Sequence, residues 1–272
     1  MSLKLKQYLK KMARNIFSLS FILSPQRLSI LETAFKLLSL LDILKKEDDV
    51  YSKFKISKLN YKSVDFDLKN GTFDENVSKL SEIILQFEKA NIKHYEKEES
   101  PNIYFSRDFG FSILLEFKKN KKKHFAISCN IASSQWNSFS IQYFPVENCD
   151  YDFNWYFTIL KKTNNFLIPI YSGVNIILPQ YIEMYLPLKV IYPLGWITYF
   201  SNESNIKMPN DKGFEVIQEE KGQYIIATRE DFTQSKESFF AMKEKLIDGM
   251  KLLKSTCIEY SEAETQMARI YK

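Results

Sequence analysis

The chain opens on alternation. Phe17, Leu19, Phe21 and Leu23 place large apolar groups on one face of the run Ile16 to Leu23, with Ser18 and Ser20 opposite, and this period of two predicts a strand. Ser24-Pro25-Gln26 then reads as a helix start, a capping hydroxyl followed by proline in the first turn. Leu28, Leu31, Phe35, Leu38, Leu41 and Leu44 follow at helical spacing, so a helix is expected over about 26–46, closing on Lys45-Lys46. A second helix is expected over about 74–90, with Asp74 as its cap and Val77, Leu80, Ile84 and Phe87 as its apolar stripe.

From 103 to 144 the period returns to two. Phe109, Phe111, Ile113, Leu115 and Phe117 share one face, and Phe125, Ile127, Cys129 and Ile131 repeat the arrangement across the turn-like lysines 118–123. Phe139, Ile141 and Tyr143 predict a third strand of an antiparallel sheet. Asp150 or Asp152 caps an expected helix over about 150–162, and Phe166–Tyr171 and Asn175–Leu178 read as short strands. "YPLGWITYFSN" (192–202) reads as a strand entry, followed by a hairpin at Phe214–Gln218 and Tyr224–Thr228 and a last helix over about 235–256. In that stretch Pro193 can only begin or edge a strand. Gly195 leaves room for a close neighbour, and Trp196 is expected to pack in the core. The fold class is therefore α+β, a largely antiparallel sheet with packed helices. No repeat and no linker rich in Pro, Gly or Ser interrupts it. One domain over 1–272 is the simplest organisation, and 1–148 with 149–272 is the alternative.

Composition narrows the function classes. The 272 residues are 45% hydrophobic and 15% aromatic, which excludes a disordered chain and permits a sizeable core. Net charge is +5, and the cations are overwhelmingly lysine, with arginine only at 14, 27, 107, 229 and 269. Arginine is the favoured residue for bidentate readout of phosphate and guanine, so a nucleic-acid groove is not expected. The three cysteines, Cys129, Cys149 and Cys257, have no CxxC spacing, which points to a reducing compartment rather than a disulfide scaffold. No apolar run approaches the ~20 residues that span a bilayer, and the expectation is a cytoplasmic protein without a membrane partner.

Few residues of the chain stand in a chemical pattern. No two of the seven glycines are close enough to form a phosphate loop, and His94 and His124 sit in no metal or nucleophile motif. Neither a cofactor nor a bound metal is expected. One enzymatic reading needs weighing: Asp108, Glu116 and Lys118 make the D…E-x-K pattern with which restriction-type nucleases hold a divalent ion and position a water. The plainer account is that Glu116 and Lys118 occupy the polar face of an amphipathic strand.

Several features together resemble the immunity protein 52 family of bacterial polymorphic-toxin and type VI secretion systems. They are Pro25 and Arg27 before a long helix, "DDVYSKF" after it, Gly110-Phe111 entering a strand, and P-x-G-W-x-x-Y at Pro193, Gly195, Trp196 and Tyr199. Two positions depart from that pattern: Leu23-Ser24 stand where a tryptophan usually ends the first strand, and Phe54 stands where another is expected. The resemblance implies a non-enzymatic inhibitor that binds one cognate toxin, often a restriction-type nuclease, and neutralises it by occlusion. A basic toxin would be steered by acidic groups. The clusters are Glu47-Asp48-Asp49, Glu96 with Glu98-Glu99, Glu219-Glu220, and Glu262 with Glu264; Glu47, Asp48, Asp49, Glu219 and Glu220 are the candidate contacts. Oligomeric state is left open.

Overall fold

A computed structural model of the protein describes residues 17–24, 26, 28–57, 62–88, 111–119, 122–131, 137–143, 152–176, 194–204, 206 and 213–253. The architecture is α+β, with four α-helices and ten strands among the described residues. Every strand pairing whose register is described is antiparallel. The chain divides into two compact units: Leu23–Ile141 with Asn165–Leu167, and Met1–Ile22 with Gln142–Asn164 and Ile168–Lys272.

In the first unit the strands run β3 (Val64–Asp67), β2 (Lys53–Ser57), β4 (Phe111–Lys119), β5 (Lys122–Ile131), β6 (Asn137–Tyr143) across the sheet. Alternation fixes the register. Phe54 faces Phe66 on one side and Phe117 on the other, with ring centroids at 5.2 and 5.4 Å. On the intervening positions Lys53 lies opposite Asp67 and Lys55 opposite Asp65, and both pairs close as ion pairs, at 2.8 and 3.8 Å. Helices α1 (Ile30–Lys45) and α2 (Phe73–Glu88) bury Ala34, Leu37, Leu38, Leu41 and Leu44, and Val77, Leu80, Ile83, Ile84 and Phe87. Cys129 is buried in β5, and burial pushes its thiol far above the usual range, so it is an inert packing group.

In the second unit the order is β1 (Phe17–Leu23), β7 (Tyr171–Ile176), β8 (Ile197–Ser201), β10 (Gly222–Ile226), β9 (Glu215–Glu219). All five residues of β8 are buried, as for a strand covered on both faces. Trp196 is 0% exposed. Its ring lies 5.4 Å from Phe17, 5.4 Å from Phe232, 5.7 Å from Tyr156 and 5.8 Å from Phe153. Its indole N–H donates to the Thr228 carbonyl at 2.8 Å. At Gly195 a Cβ would meet both the Asn175 Oδ1 and the Val174 carbonyl at 2.5 Å, so the close approach expected from the sequence is present. Two helices complete the unit, α3 (Phe153–Leu167, apart from its last three residues) and α4 (Lys236–Leu253).

Several element boundaries differ from the sequence reading. The first helix begins at Ile30, not near 26. Ser29 and Glu32 form a reciprocal capping box there, two satisfied donors that outweigh the Ser24-Pro25 signal. Ser24 is not helical, and its carbonyl accepts from the Asn137 side chain at 3.0 Å. The second helix is capped likewise by Thr72 with Glu75, leaving Asp74 inside the first turn. Asp152 caps α3, which runs on to Leu167, so Phe166 is helical and the following strand is Tyr171–Ile176. The hairpin β2–β3 was not expected at all, because its strands carry only two apolar residues each between lysines and aspartates. The ladder continues through the lysine run, Lys118 opposite Lys123 and Lys119 opposite Lys122, after a register shift at Phe117/Lys118.

Candidate functional site

α1 does not turn all of its apolar residues inward. Its buried positions are Ile30, Thr33, Ala34, Leu37, Leu38, Leu40, Leu41 and Leu44. Phe35, expected in the buried stripe, is 53% exposed, and Leu31 is only half-buried. The core face is rotated from the stripe read off the sequence, and Leu31 and Phe35, one turn apart, are left on the outer flank. There they line a groove of about 660 Å³ with Glu32 and Lys36 of the same helix, Asp74, Val77 and Ser78 of α2, and Phe166. Phe35 meets Phe73 edge-on at 5.5 Å, and Phe73 is itself 38% exposed.

The charges along the groove differ in what holds them. Glu32 accepts from the Ser29 backbone N–H at 2.7 Å, and its own N–H donates to the Ser29 hydroxyl at 3.2 Å. The bond from the Ser29 backbone N–H foremost, with the Ser29 hydroxyl second, holds its carboxyl below the usual carboxylate range. Asp74 lies in the first turn of α2, where the helix dipole favours a negative charge. Lys36 is half-buried, and desolvation pulls its ammonium below the usual lysine range. Its described partner is neutral: Nζ donates to Gln26 Oε1 at 2.5 Å. The arrangement suits recognition of an apolar surface carrying a charge. Among the described residues no group of His, Cys, Asp and Glu is placed to hold a metal ion.

The acidic residues singled out in the sequence fall in separate places. Asp48 caps the 3-10 turn Asp49–Ser52 by accepting from Val50 N–H at 3.0 Å, and Glu47 is half-exposed beside it. Asp49 is exposed and pairs with Lys69 at 2.6 Å, and that bond keeps its carboxyl low. Glu219 belongs to the other unit and pairs with Lys161 at 2.5 Å, while Glu220 is exposed in the β9–β10 turn. Local lysines thus cancel part of the field that Asp49 and Glu219 would project. Glu96, Glu98, Glu99, Glu262 and Glu264 lie outside the described residues.

Of the nuclease-like trio, Asp108 lies outside the described residues and Lys118 is placed only by its backbone. Glu116 is half-buried in β4, opposite Lys55 in register. In the P-x-G-W-x-x-Y stretch Pro193 is outside the described residues. Gly195, Trp196 and Tyr199 are all interior, with the Tyr199 hydroxyl donating to the Lys221 carbonyl at 3.0 Å. These are packing positions. The groove was missed because its apolar lining has the spacing of a core stripe. The one legible signal was an excess of apolar residues on α1 over what a single face can bury.

No protein-family model matches the chain, and no curated protein matches it. Among solved structures, a Pseudomonas aeruginosa T6SS protein is similar at a TM-score of 0.46 and 8% identity, over 100% of this chain and 96% of that one. Among the described residues no helix is long and apolar enough to cross a membrane.

Proposed function

We propose that this chain is an immunity protein of the immunity protein 52 type, which binds a cognate secreted bacterial toxin in the cytoplasm and neutralises it by occlusion, without catalysis of its own. The observation that carries the reading is the aromatic groove on α1 and α2. Phe35 is a large apolar side chain left more than half in water beside a groove of about 660 Å³. Beyond its edge contact with Phe73, a phenylalanine held there adds little to the protein's own stability. Contiguous exposed apolar surface with a charged rim is the signature of a contact surface, and aromatic anchors in pockets carry most of the affinity of protein interfaces. The interior placement of Gly195, Trp196 and Tyr199 fits the same reading, because a motif that builds a scaffold leaves binding to the surface. Occlusion requires surface complementarity and no tuned acid or base.

The test is direct. The protein is used to capture its partner from the producing host, the partner is identified by mass spectrometry, and its toxicity is measured with and without this chain. Recovery of a secreted toxin neutralised by the intact protein and not by Phe35→Asp supports the proposal. Recovery of no toxin, together with metal-dependent nuclease activity lost in Glu116→Ala, overturns it.

A further inference from the structure

We infer that the groove takes an amphipathic helix of the partner, seating its apolar face on Leu31, Phe35 and Val77 and placing a carboxylate side chain against Lys36. This rests on the reading of the groove as the toxin-contact surface. Three observations choose the occupant. First, the groove is built from the side chains of helices, Leu31 and Phe35 at i and i+4 on α1 and Asp74, Val77 and Ser78 on α2. Such a surface offers no free backbone edge to which a strand could add, and a helix lying in it is the recurrent solution. Second, Phe73 is half-exposed against Phe35 without itself lining the groove. Cover for both rings must extend past the cavity, which a small molecule filling it does not do.

Third, the charges select the sign. Glu32 and Asp74 keep their charges, but the Glu32 carboxylate is turned back onto the Ser29 N–H and Asp74 lies in the first turn of α2, where the helix dipole offsets it, so Lys36 is the charge of the groove with the least local compensation. Lys36 is different. It is half-buried against apolar surface, its hydrogen-bond partner Gln26 is neutral, and among the described residues no acid pairs with it. A carboxylate arriving there meets a partly desolvated cation, where the attraction exceeds that of an exposed pair. A lysine or arginine at the same point would be repelled in the same low-dielectric setting. Opposite charge at this position therefore fixes both the identity and the orientation of the docked helix.

The probes are two synthetic helix-forming peptides, identical but for one residue. Each carries leucine at i, i+4 and i+7; one has glutamate beside the central leucine and the other lysine. Binding to the full chain is measured by titration calorimetry. The glutamate peptide should bind about fivefold or more tightly than its twin. Lys36→Glu should reverse the preference, and Phe35→Asp should abolish binding of both. Both substituted side chains are partly or largely exposed, so the variants should keep the unfolding midpoint of the parent, which denaturation verifies. Equal affinity of the two peptides, binding by neither, or a preference unchanged in Lys36→Glu overturns the inference. The two levels separate on the cognate toxin. Toxin lost by Phe35→Asp but indifferent to Lys36→Glu leaves the groove as the contact surface and overturns the carboxylate. Toxin that still binds Phe35→Asp overturns the groove reading and the inference with it.

Discussion

Replacing Trp196 by alanine should strongly destabilise the unit that contains it, and the structure lets the cost be worked out. The indole is wholly buried, with four aromatic rings within 5.8 Å. Large-to-alanine changes at such sites cost ~3–5 kcal/mol, the higher values where the cavity cannot collapse. Here the surrounding rings of Phe17, Phe153, Tyr156 and Phe232 come from β1, α3 and the segment before α4, so no single shift closes the gap. The Thr228 carbonyl also loses its indole donor, and a net hydrogen bond is worth ~1 kcal/mol. The upper end of the range, about 5 kcal/mol, is expected. With a urea slope of ~2 kcal/mol per molar, the transition should move down by about 2.5 M. Trp196→Phe keeps an apolar ring and removes only the donor and part of the volume, so about 1–2 kcal/mol is expected. Urea denaturation followed by far-UV circular dichroism measures both, and hydrogen exchange at the Trp196 and Ala227 amides, which donate to Val174 and Trp196, reports this unit specifically. A Trp196→Ala midpoint within ~0.3 M of the parent, with partner binding lost, would refute the packing role.

Gly222→Ala should destabilise by ~1–3 kcal/mol in thermal melts, because the new Cβ would run into the Phe200 carbonyl and meet the Tyr199 ring at 2.8 Å. Ser29→Ala should cost ~1 kcal/mol by breaking the capping box of α1, and circular dichroism melts should show it with Glu32 intact. The Arg229 guanidinium beside Glu215, bonded at 2.7 Å through both Nε and Nη2, holds that carboxyl below its usual 4.5. The stabilisation is therefore fully present at neutral pH and is lost as pH falls below 4.5, where the unfolded chain takes up the proton first. Both partners are largely exposed, so the pair is worth at most ~1 kcal/mol, and Glu215→Gln should remove that part of the acid sensitivity in pH-dependent urea titrations.

Period two was the most readable signal in the chain. It located β1, β4, β5 and β6 because each carries several apolar residues on one face, and a one-residue slip would turn them all to water; β8, buried on both faces, was located instead by the large apolar groups it carries on each. Period two failed at β2 and β3, where Phe54, Ile56, Val64 and Phe66 are the whole apolar content and the lysines and aspartates between them read as a connection. Those charges are the pairing signal once the strands are adjacent, Lys53 to Asp67 and Lys55 to Asp65, but nothing in a linear pattern says which lysine meets which aspartate. Helix starts were misread for a related reason. Ser24-Pro25 and Asp74 are acceptable caps taken alone, yet Ser29/Glu32 and Thr72/Glu75 satisfy two backbone donors each and win.

The candidate site was hidden by the rule that exposed the fold. Leu28, Leu31, Phe35, Leu38, Leu41 and Leu44 make a faultless helical stripe, and a stripe is taken to face inward. The helix, however, has apolar residues at Ile30, Ala34, Leu37 and Leu40 too, more than one face can cover. Which of two overlapping stripes is buried is decided by what the helix packs against, a tertiary fact absent from the local pattern. The core takes Ile30, Ala34, Leu37, Leu38, Leu40, Leu41 and Leu44, and Leu31 and Phe35 remain outside. A surplus of apolar residues around a helix is thus a sign of a second client for its surface, and replacing Phe35 by serine separates the two roles. If Phe35 served the core, the change would cost several kcal/mol, as truncations of buried phenylalanine do. At an exposed groove it should alter the unfolding midpoint by no more than ~0.5 kcal/mol equivalent while weakening partner binding by at least tenfold, the scale of an anchor residue.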